Sequence, residues 1–309
     1  VRKAAAAAPA TVANVSCGFD VLGFALMQPV DEVEVRWSAR KGITIAAIEG
    51  DNGKLPQDPG RNTAGIAAQA ILRAAQVKQG IELRLKKGVP ISSGMGSSAA
   101  SAVASVVALQ TLLGTDFETN ELLTFAAQGE AVTSGTPHLD NVTPCLLGGF
   151  TAVRSPAPVE VFTIPYPKGL LGTVVHPHLT VNTRAARELL PKTLPLATAV
   201  SQWGNVAGLV TALTTGDYDL LRRSFHDVVA EPVRKVLIPG FDQVKEAALT
   251  AGALGCSISG SGPSIFALSP TKHSAEKVAA VMQAAFQKAG QRSTAYVTPI
   301  NPRGCQTTT

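Results

Sequence analysis

The loop Pro90-Ile91-Ser92-Ser93-Gly94-Met95-Gly96-Ser97-Ser98 constrains this chain more than any other stretch. Gly94 and Gly96 flank a single residue, and two serines then open a long Ala- and Val-rich segment that runs to Leu113. Glycines let successive backbone amides curl into a concave nest that binds anions. A helix beginning at the serines adds free N–H groups and the positive end of its dipole. Ser97 and Ser98 bring hydroxyls to the same place, within reach of phosphate oxygens or a bound cation. A bare Gly-x-Gly would be read as a tight turn; the full string before an Ala-rich helix reads as a phosphate cradle. It is not a Walker loop, because no lysine follows the second glycine. Nor is it a dinucleotide fingerprint, because the third glycine is missing.

Strands and helices alternate around this loop. Val33 to Trp37 and Ile81 to Leu85 alternate as half-buried strands do, and 43–48 reads as another strand. Asn62 is placed to cap a helix over 63–76, and Asn120 to open one over 121–132. The stretch 134–144, rich in Gly, Pro, Asn and Asp, is expected to be loop, with a strand over 145–153 after it. Prolines at 156, 158, 165 and 167 then punctuate the chain, and a domain boundary is expected there, dividing 1–160 from 161–309. The second half predicts strands at 173–176, 253–259, 264–268 and 295–300. Helices are predicted at 183–190, 199–213, 218–229, 241–250 and 274–288, with a short one beginning at Pro232. Mixed elements with hairpin-like neighbours in both halves predict an α+β fold rather than a purely parallel sheet. Ala4 to Ala8 stands apart: five consecutive alanines lack the alternation of an opening strand, and alanine is a poor strand residue.

A chain of 309 residues has room for two domains of about 150 residues each. With 45% apolar and 16% charged residues it has the composition of a globular protein, only the polar tail Gln306–Thr309 being expected to be disordered. The net charge is +5, but the basic residues are scattered, and the densest pairs, Lys86-Lys87 and Arg222-Arg223, carry no interleaved aromatics. A nucleic-acid footprint needs a stripe or patch, so no nucleic-acid partner is expected. A mild positive balance suits a small anion such as ATP. Cys17, Cys145, Cys256 and Cys305 show neither CxxC nor metal-ligand spacing, and read as thiols in a reducing compartment. The apolar run 99–113 is short for a membrane span, contains Ser101, Ser105 and Gln110, and reads as a core helix. No apolar leader with a cleavage site is visible, so a cytoplasmic protein without a membrane partner is expected.

Two further segments share the character of the first loop. Ser257-Ile258-Ser259-Gly260-Ser261-Gly262-Pro263-Ser264 is by itself a hairpin turn, and beside the first loop it reads as a second wall against phosphates and substrate. Pro9-Ala10-Thr11-Val12-Ala13-Asn14-Val15-Ser16-Cys17-Gly18-Phe19-Asp20 joins a strand to a turn carrying one Asn and one Asp. Together the three segments resemble the three motifs of the GHMP kinases. The segments Gly135 to Cys145, Asn182 to Arg187, Glu231 to Arg234 and Leu237 to Phe241 are similar to those of the branch that phosphorylates homoserine. The resemblance runs from Pro9 to Ile300, with Ser92 where glycine is usual and Met95 where leucine is usual.

The resemblance implies a two-domain fold, an N-terminal ATP-binding α+β domain followed by a ferredoxin-like α+β domain. It implies phosphoryl transfer from Mg2+-ATP to the hydroxyl of L-homoserine, and a homodimer. Another small alcohol, such as mevalonate or a sugar, or a silent nucleotide-binding regulator, stands as the alternative. It assigns the nucleotide to Pro90, Ser93, Gly94, Met95, Gly96, Ser97 and Ser98, with Asn62 near the base and Lys87 within reach of the nucleotide. Magnesium falls to Ser98 and Glu130, a hydroxyl and a carboxylate of the hard-oxygen kind it requires. Arg187 and Arg234 match a carboxylate pair, which suits a guanidinium fork. Asp20, with Asn14 and Asp140, suits the substrate ammonium, while His138, Thr183 and Gly260 fall beside the substrate. Asn14, Asp140 and Asn141 stand as catalytic candidates. Either Asp140 or Asn141 holds the acceptor hydroxyl, and the expectation leans to Asn141 with Asp140 in support.

Overall fold

The computed structural model of this chain describes residues 2–308, with residues 132–134 described by their backbone alone. The first half builds a sheet from β1 (Lys3–Ala13), β2 (Leu22–Ser38), β3 (Ile43–Glu49), β4 (Gly80–Lys86), β5 (Phe150–Pro156) and β6 (Val159–Ile164). The long β2 pairs with β1 along its length, with β4 over Glu32–Ser38, and with β5 over Leu22–Phe24. Against this sheet pack α1 (Thr63–Ala74), α2 (Ser97–Leu113), α3 (Thr119–Ser134) and α4 (Leu139–Leu147). α2 is the central helix, touching β1, β2, α1, α3 and α4. Its Ala and Val residues are buried on nearly every face, as an apolar run too short for a membrane requires.

The alanine run is a strand after all. Ala4, Ala6 and Ala8 turn inward, the last two fully buried, and the run pairs with β2 from Lys3↔Arg36 to Pro9↔Val30. Small side chains let α2 lie close on this strand, so packing overrides weak strand propensity.

The stretch 134–144 is not all loop, and no strand spans 145–153. α4 runs from Leu139 to Leu147 through Pro144, and β5 begins only at Phe150, after Gly148 and Gly149. Pro144 leaves the Asp140 carbonyl without its helical donor. At Gly23 on β2 a side chain would overlap that carbonyl and come within 2.9 Å of the Pro144 ring. The proline-containing helix thus fits against a strand position that has no side chain. The predicted helix over 218–229 also ends early, at Ser224. Beyond it the Asp227 carboxylate accepts from the amides of Val229, Ala230 and Glu231 and folds the chain into a turn.

The second half contains β7 (Leu171–Pro177), α5 (Thr183–Glu188), α6 (Leu196–Thr215), α7 (Tyr218–Ser224), α8 (Glu231–Arg234) and α9 (Phe241–Thr250). There follow β8 (Gly255–Ile258), β9 (Ile265–Ser269), α10 (Lys272–Lys288), β10 (Ser293–Pro299) and β11 (Gln306–Thr308). The sheet order β10-β7-β9-β8, antiparallel throughout with α9 and α10 packed together against it, is ferredoxin-like. After β10 the chain returns to the first sheet: Ile300 bridges Leu26, and β11 pairs with β1. The tail expected to be disordered is therefore a strand, with Thr309 outside the described residues.

Beneath the glycine loop lies a buried ion pair between Asp31 on β2 and Lys87 at the exit of β4. Asp31 Oδ1 accepts from the amides of Gly88 at 3.0 Å and Val89 at 2.9 Å, and Oδ2 accepts from Ser101 Oγ at 2.9 Å. Lys87 Nζ also donates to the Ser97 carbonyl at 2.8 Å and to Ser101 Oγ at 2.7 Å. Burial holds the Lys87 ammonium below its usual pKa, and the Asp31 charge works against that fall. Removing one partner strands the other charge in the interior, so Asp31→Ala is expected to cost about 3–5 kcal/mol, whereas Asp31→Leu with Lys87→Met should cost much less. Urea unfolding of both variants checks this.

Candidate active site

A cavity of about 310 Å³ opens where the glycine loop, the turn after β1, the first turns of α1 and α4, and residues of the second half converge. Ser92, Gly94 and Gly96 of the loop adopt φ of 56°, 79° and 67°. At Gly94 a side chain would overlap the Ser259 carbonyl, and at Gly96 it would overlap Thr11 Oγ1 and come within 2.9 Å of Asn141 Oδ1. Only glycine satisfies both the left-handed backbone and the lack of space.

The Ser257–Ser264 segment braces this loop from behind. Ser259 Oγ donates to the Gly94 carbonyl at 2.7 Å, and the Ser264 amide donates to the Ser93 carbonyl at 3.1 Å. The Thr11 amide donates to the Met95 carbonyl at 3.0 Å, so all three sequence segments meet at one loop.

Several expected nucleotide contacts are used differently. The Ser97 hydroxyl turns inward and donates to the Val89 carbonyl at 3.0 Å. Met95 is fully buried and its amide donates to Ser93 Oγ at 3.2 Å, so neither its side chain nor its N–H is offered to a ligand. Pro90 borders a neighbouring cleft rather than this cavity. Lys87 is no surface lysine; its ammonium is held by Asp31, Ser97 and Ser101 under the loop. Asn62 caps α1, accepting from the Ala64 amide at 3.0 Å and donating to the Pro56 carbonyl at 2.9 Å, yet it borders the cavity. Ser93, Gly94, Gly96, Ser97 and Ser98 also line it.

The turn after β1 is a left-handed one, with Asn14, Val15 and Ser16 at φ of 70°, 40° and 61° and Asp20 at 57°. Such positions cost about 1–3 kcal/mol each for non-glycine residues and persist only where the surroundings over-determine them. Here Asn14 Nδ2 donates to the Gly260 carbonyl at 2.8 Å, Asn14 Oδ1 accepts from the Asp20 amide at 3.0 Å, and Val15 is fully buried. Asp20 leaves this turn facing Arg187, 2.6 Å from Nη2. Arg187 does not itself line the cavity; Arg234 does. Arg234, only 4% exposed, donates to the carbonyls of Ala186 and Gly260, both at 3.2 Å. Among the described residues no carboxylate lies within ion-pair distance of it. Both guanidiniums rest on the Phe19 ring, at 5.8 Å for Arg187 and 5.0 Å for Arg234.

α3 and α4 supply the opposite wall. Glu130 Oε1 lies 3.3 Å from His138 Nδ1. Burial alone would lower the His138 pKa, but the hydrogen bond to Glu130 and the charge of Asp140 prevail and raise it. Asp140 is pushed up to about 6 by burial, against the pull of His138, while the Asn14 amide donates to it. Asn141 Oδ1 accepts from Thr11 Oγ1 at 2.8 Å, which sets the side chain beside Gly96. Thr183 Oγ1 lies 3.3 Å from Ser261 Oγ, and both border the cavity with Gly260.

The residues missed by sequence reasoning are Asp31, Thr11, Phe19 and Ser261, with Arg61, which borders the cavity next to Asn62. Asp31 and Thr11 act from beneath the loop through partners far away in sequence. Phe19 and Ser261 sit inside segments already singled out, beside residues with more obvious chemistry.

Ser98 and Glu130 border one cavity as a hydroxyl and a carboxylate, the donor type magnesium takes. Among the described residues no cluster of three or more His, Cys, Asp or Glu could hold a metal by itself. A cation here would share its coordination sphere with ligand phosphates and water, as magnesium does. Among the described residues no helix is long and apolar enough to cross a membrane.

Known proteins resemble this chain along its length. A model of the GHMP kinases N terminal domain matches residues 62–149, and one of the GHMP kinases C terminal matches residues 209–288. A homoserine kinase of Chlorobaculum tepidum is 48% identical, over 97% of this chain and 96% of that protein. A homoserine kinase of Xanthomonas campestris pv. campestris is 45% identical, over 97% and 92%. The crystal structure of homoserine kinase from Cytophaga hutchinsonii matches with a TM-score of 0.96 at 51% identity, covering 100% of this chain and 98% of that one.

The buried Asp140 carboxyl links folding to pH. Its folded-state pKa of about 6 lies above the ordinary carboxyl value of 3.8, so the folded chain holds the proton more tightly than the unfolded chain. That contribution is fully present below pH 4 and lost as pH rises to about 6. The stability of the protein relative to Asp140→Asn should therefore fall by roughly 2–3 kcal/mol between pH 4 and pH 7. Denaturant titrations of both proteins at the two pH values test it.

Proposed function

The chain belongs to the homoserine kinase family of the GHMP kinases, and we infer that it transfers the γ-phosphoryl group of ATP to the side-chain hydroxyl of L-homoserine. A bond forms between the acceptor oxygen and γ-phosphorus as the bond to the ADP oxygen breaks and the hydroxyl proton leaves to solvent, giving ADP, O-phospho-L-homoserine and a proton. The observation that carries this reading is Arg234, a buried guanidinium without a carboxylate partner among the described residues, facing the cavity that the glycine nest also lines. A buried unpaired cation is costly, and an incoming amino-acid carboxylate relieves that cost.

The amides of the glycine loop and the N-terminus of α2 support binding of the triphosphate. Ser98 and Glu130 would hold magnesium, which when bound neutralises charge on the phosphate oxygens. Arg234 and Arg187 take the acceptor carboxylate, and Asp20, steadied by Asn14, takes its ammonium. Asn141 orients the acceptor hydroxyl; its carbonyl oxygen, bound to Thr11 Oγ1, keeps a second lone pair for it. Asp140 and His138 support that wall. Phosphoryl transfer demands mainly alignment and charge stabilisation, and these acceptor-side groups supply alignment.

We place the domain division between Ile164 and Leu171, a few residues beyond the expected 160/161, which falls inside β6; the protein we place in the cytoplasm, supported by four buried free thiols. A homodimer is supported by α6, whose twenty residues carry no charge and whose outer side exposes Leu196, Val200 and Trp203 by 72%, 54% and 61%. Depletion of charge with an exposed tryptophan is the composition of an interface core. Trp203→Glu should convert the particle to a monomer of 31.9 kDa by light scattering without loss of folding.

Release of ADP, measured with homoserine, mevalonate and galactose in turn, tests the acceptor, and silence with homoserine would sink the reading. Arg187→Ala is expected to raise KM for homoserine roughly ten- to a hundredfold, the worth of a charge-assisted hydrogen bond, with KM for ATP nearly unchanged. Equal losses for both substrates would make the arginine a purely structural group.

A further inference from the structure

Arg187 and Asp20 meet fork to fork, with Nη1 at 3.3 Å from one carboxylate oxygen and Nη2 at 2.6 Å from the other. Each side chain remains about a third exposed, 32% and 35%, so water and small solutes reach the pair. The carboxylate is aimed by its backbone: Asp20 holds φ at 57° and its amide is bound to Asn14 Oδ1 at 3.0 Å. Behind the pair, Arg234 adds a second guanidinium on the same Phe19 ring, and the two like charges repel across it. Asp20 is thus the anion that neutralises this corner in the absence of a ligand.

An α-amino acid carries the same two charges, a carboxylate for a guanidinium and an ammonium for an aspartate. We propose that Asp20 is an internal stand-in for the substrate carboxylate, and that an amino-acid alcohol enters by ion-pair exchange. The ligand carboxylate takes Arg187 from Asp20 while the ligand ammonium takes Asp20 from Arg187. This deepens the proposed function and rests on it.

Exchange makes Asp20 a specificity residue through repulsion as well as attraction. A partly exposed pair adds little stability, so opening it costs little. What costs more is the charge left over afterwards. An alcohol bearing only a carboxylate strips Asp20 from Arg187 and leaves two anions side by side. An alcohol bearing only an amine occupies Asp20 and leaves Arg187 beside Arg234 with no anion between them. Only a zwitterion replaces both members of the pair.

Isothermal titration of L-homoserine and 4-hydroxybutanoate, the same alcohol without the ammonium, separates this from simple ammonium binding. The wild-type protein is expected to bind 4-hydroxybutanoate about 100-fold more weakly than homoserine, because a charge is left uncompensated. In Asp20→Asn, homoserine should weaken while 4-hydroxybutanoate tightens by about tenfold, because Arg187 is freed. Asp20→Ser carries the same expectation if the asparagine variant folds poorly, and tightened binding cannot arise from misfolding. Affinity for 4-hydroxybutanoate that is unchanged or weaker in both variants overturns the exchange, leaving Asp20 an ammonium ligand only. ADP release by the wild-type protein with homoserine is read separately, so failure of the function and failure of the exchange are told apart.

Discussion

The position of the phosphate cradle depends on one buried ion pair, Asp31 with Lys87. Each charge alone would be costly so far from water. Together they satisfy the amides of Gly88 and Val89, the Ser101 hydroxyl and the Ser97 carbonyl. These groups belong to β2, the exit of β4 and the first turns of α2, so the pair fixes where the loop leaves the sheet and where the helix begins. The left-handed turn of Asn14 to Ser16 is held in part by the same construction, since β1 is bonded to the loop through Thr11 and Met95. Strain in one segment is thus balanced by order in another.

The two ends of the cavity use different electrostatics. At the loop, neutral amides and a helix terminus face the ligand, and the lysine beneath it, Lys87, is already engaged by Asp31. At the acceptor end, full charges face each other: Asp20, Arg187, Arg234, and the Glu130, His138 and Asp140 group. The second arrangement discriminates among small molecules by the pattern of their charges; the first accepts any group with the geometry of a polyphosphate. The raised pKa of Asp140 has its origin in this crowding, since burial and the nearby acids both favour the neutral form.

How far the sequence could be read depended on the range over which each residue acts. The glycine loop is local, so its glycines, serines and following helix declared a phosphate nest directly. The alanine run was misread because its reason for being a strand is α2, which begins at Ser97, far along the chain. α4 was hidden by Pro144, whose tolerance depends on a glycine in β2. Lys87 was expected to reach for the nucleotide because its partner, Asp31, stands 56 residues earlier and gives no local sign of the pairing. The Ser97 hydroxyl looked available because its carbonyl acceptor is visible only once the loop has folded back. Arg187 and Arg234 carry no local signature; resemblance singled them out, and the geometry adds Phe19 beneath them.

Two stretches of chain connect the first sheet to the second, one between Ile164 and Leu171 and one between Pro299 and Gln306. A body attached at a single point can swing, twist and slide relative to its neighbour. Attachment at two points removes most of those freedoms and leaves chiefly rotation about the line that joins them. That rotation is opposed by direct ties between the two bodies, Ser259 to the Gly94 carbonyl and the Ser264 amide to the Ser93 carbonyl, so the glycine loop and Arg234 keep one alignment between phosphate donor and acceptor.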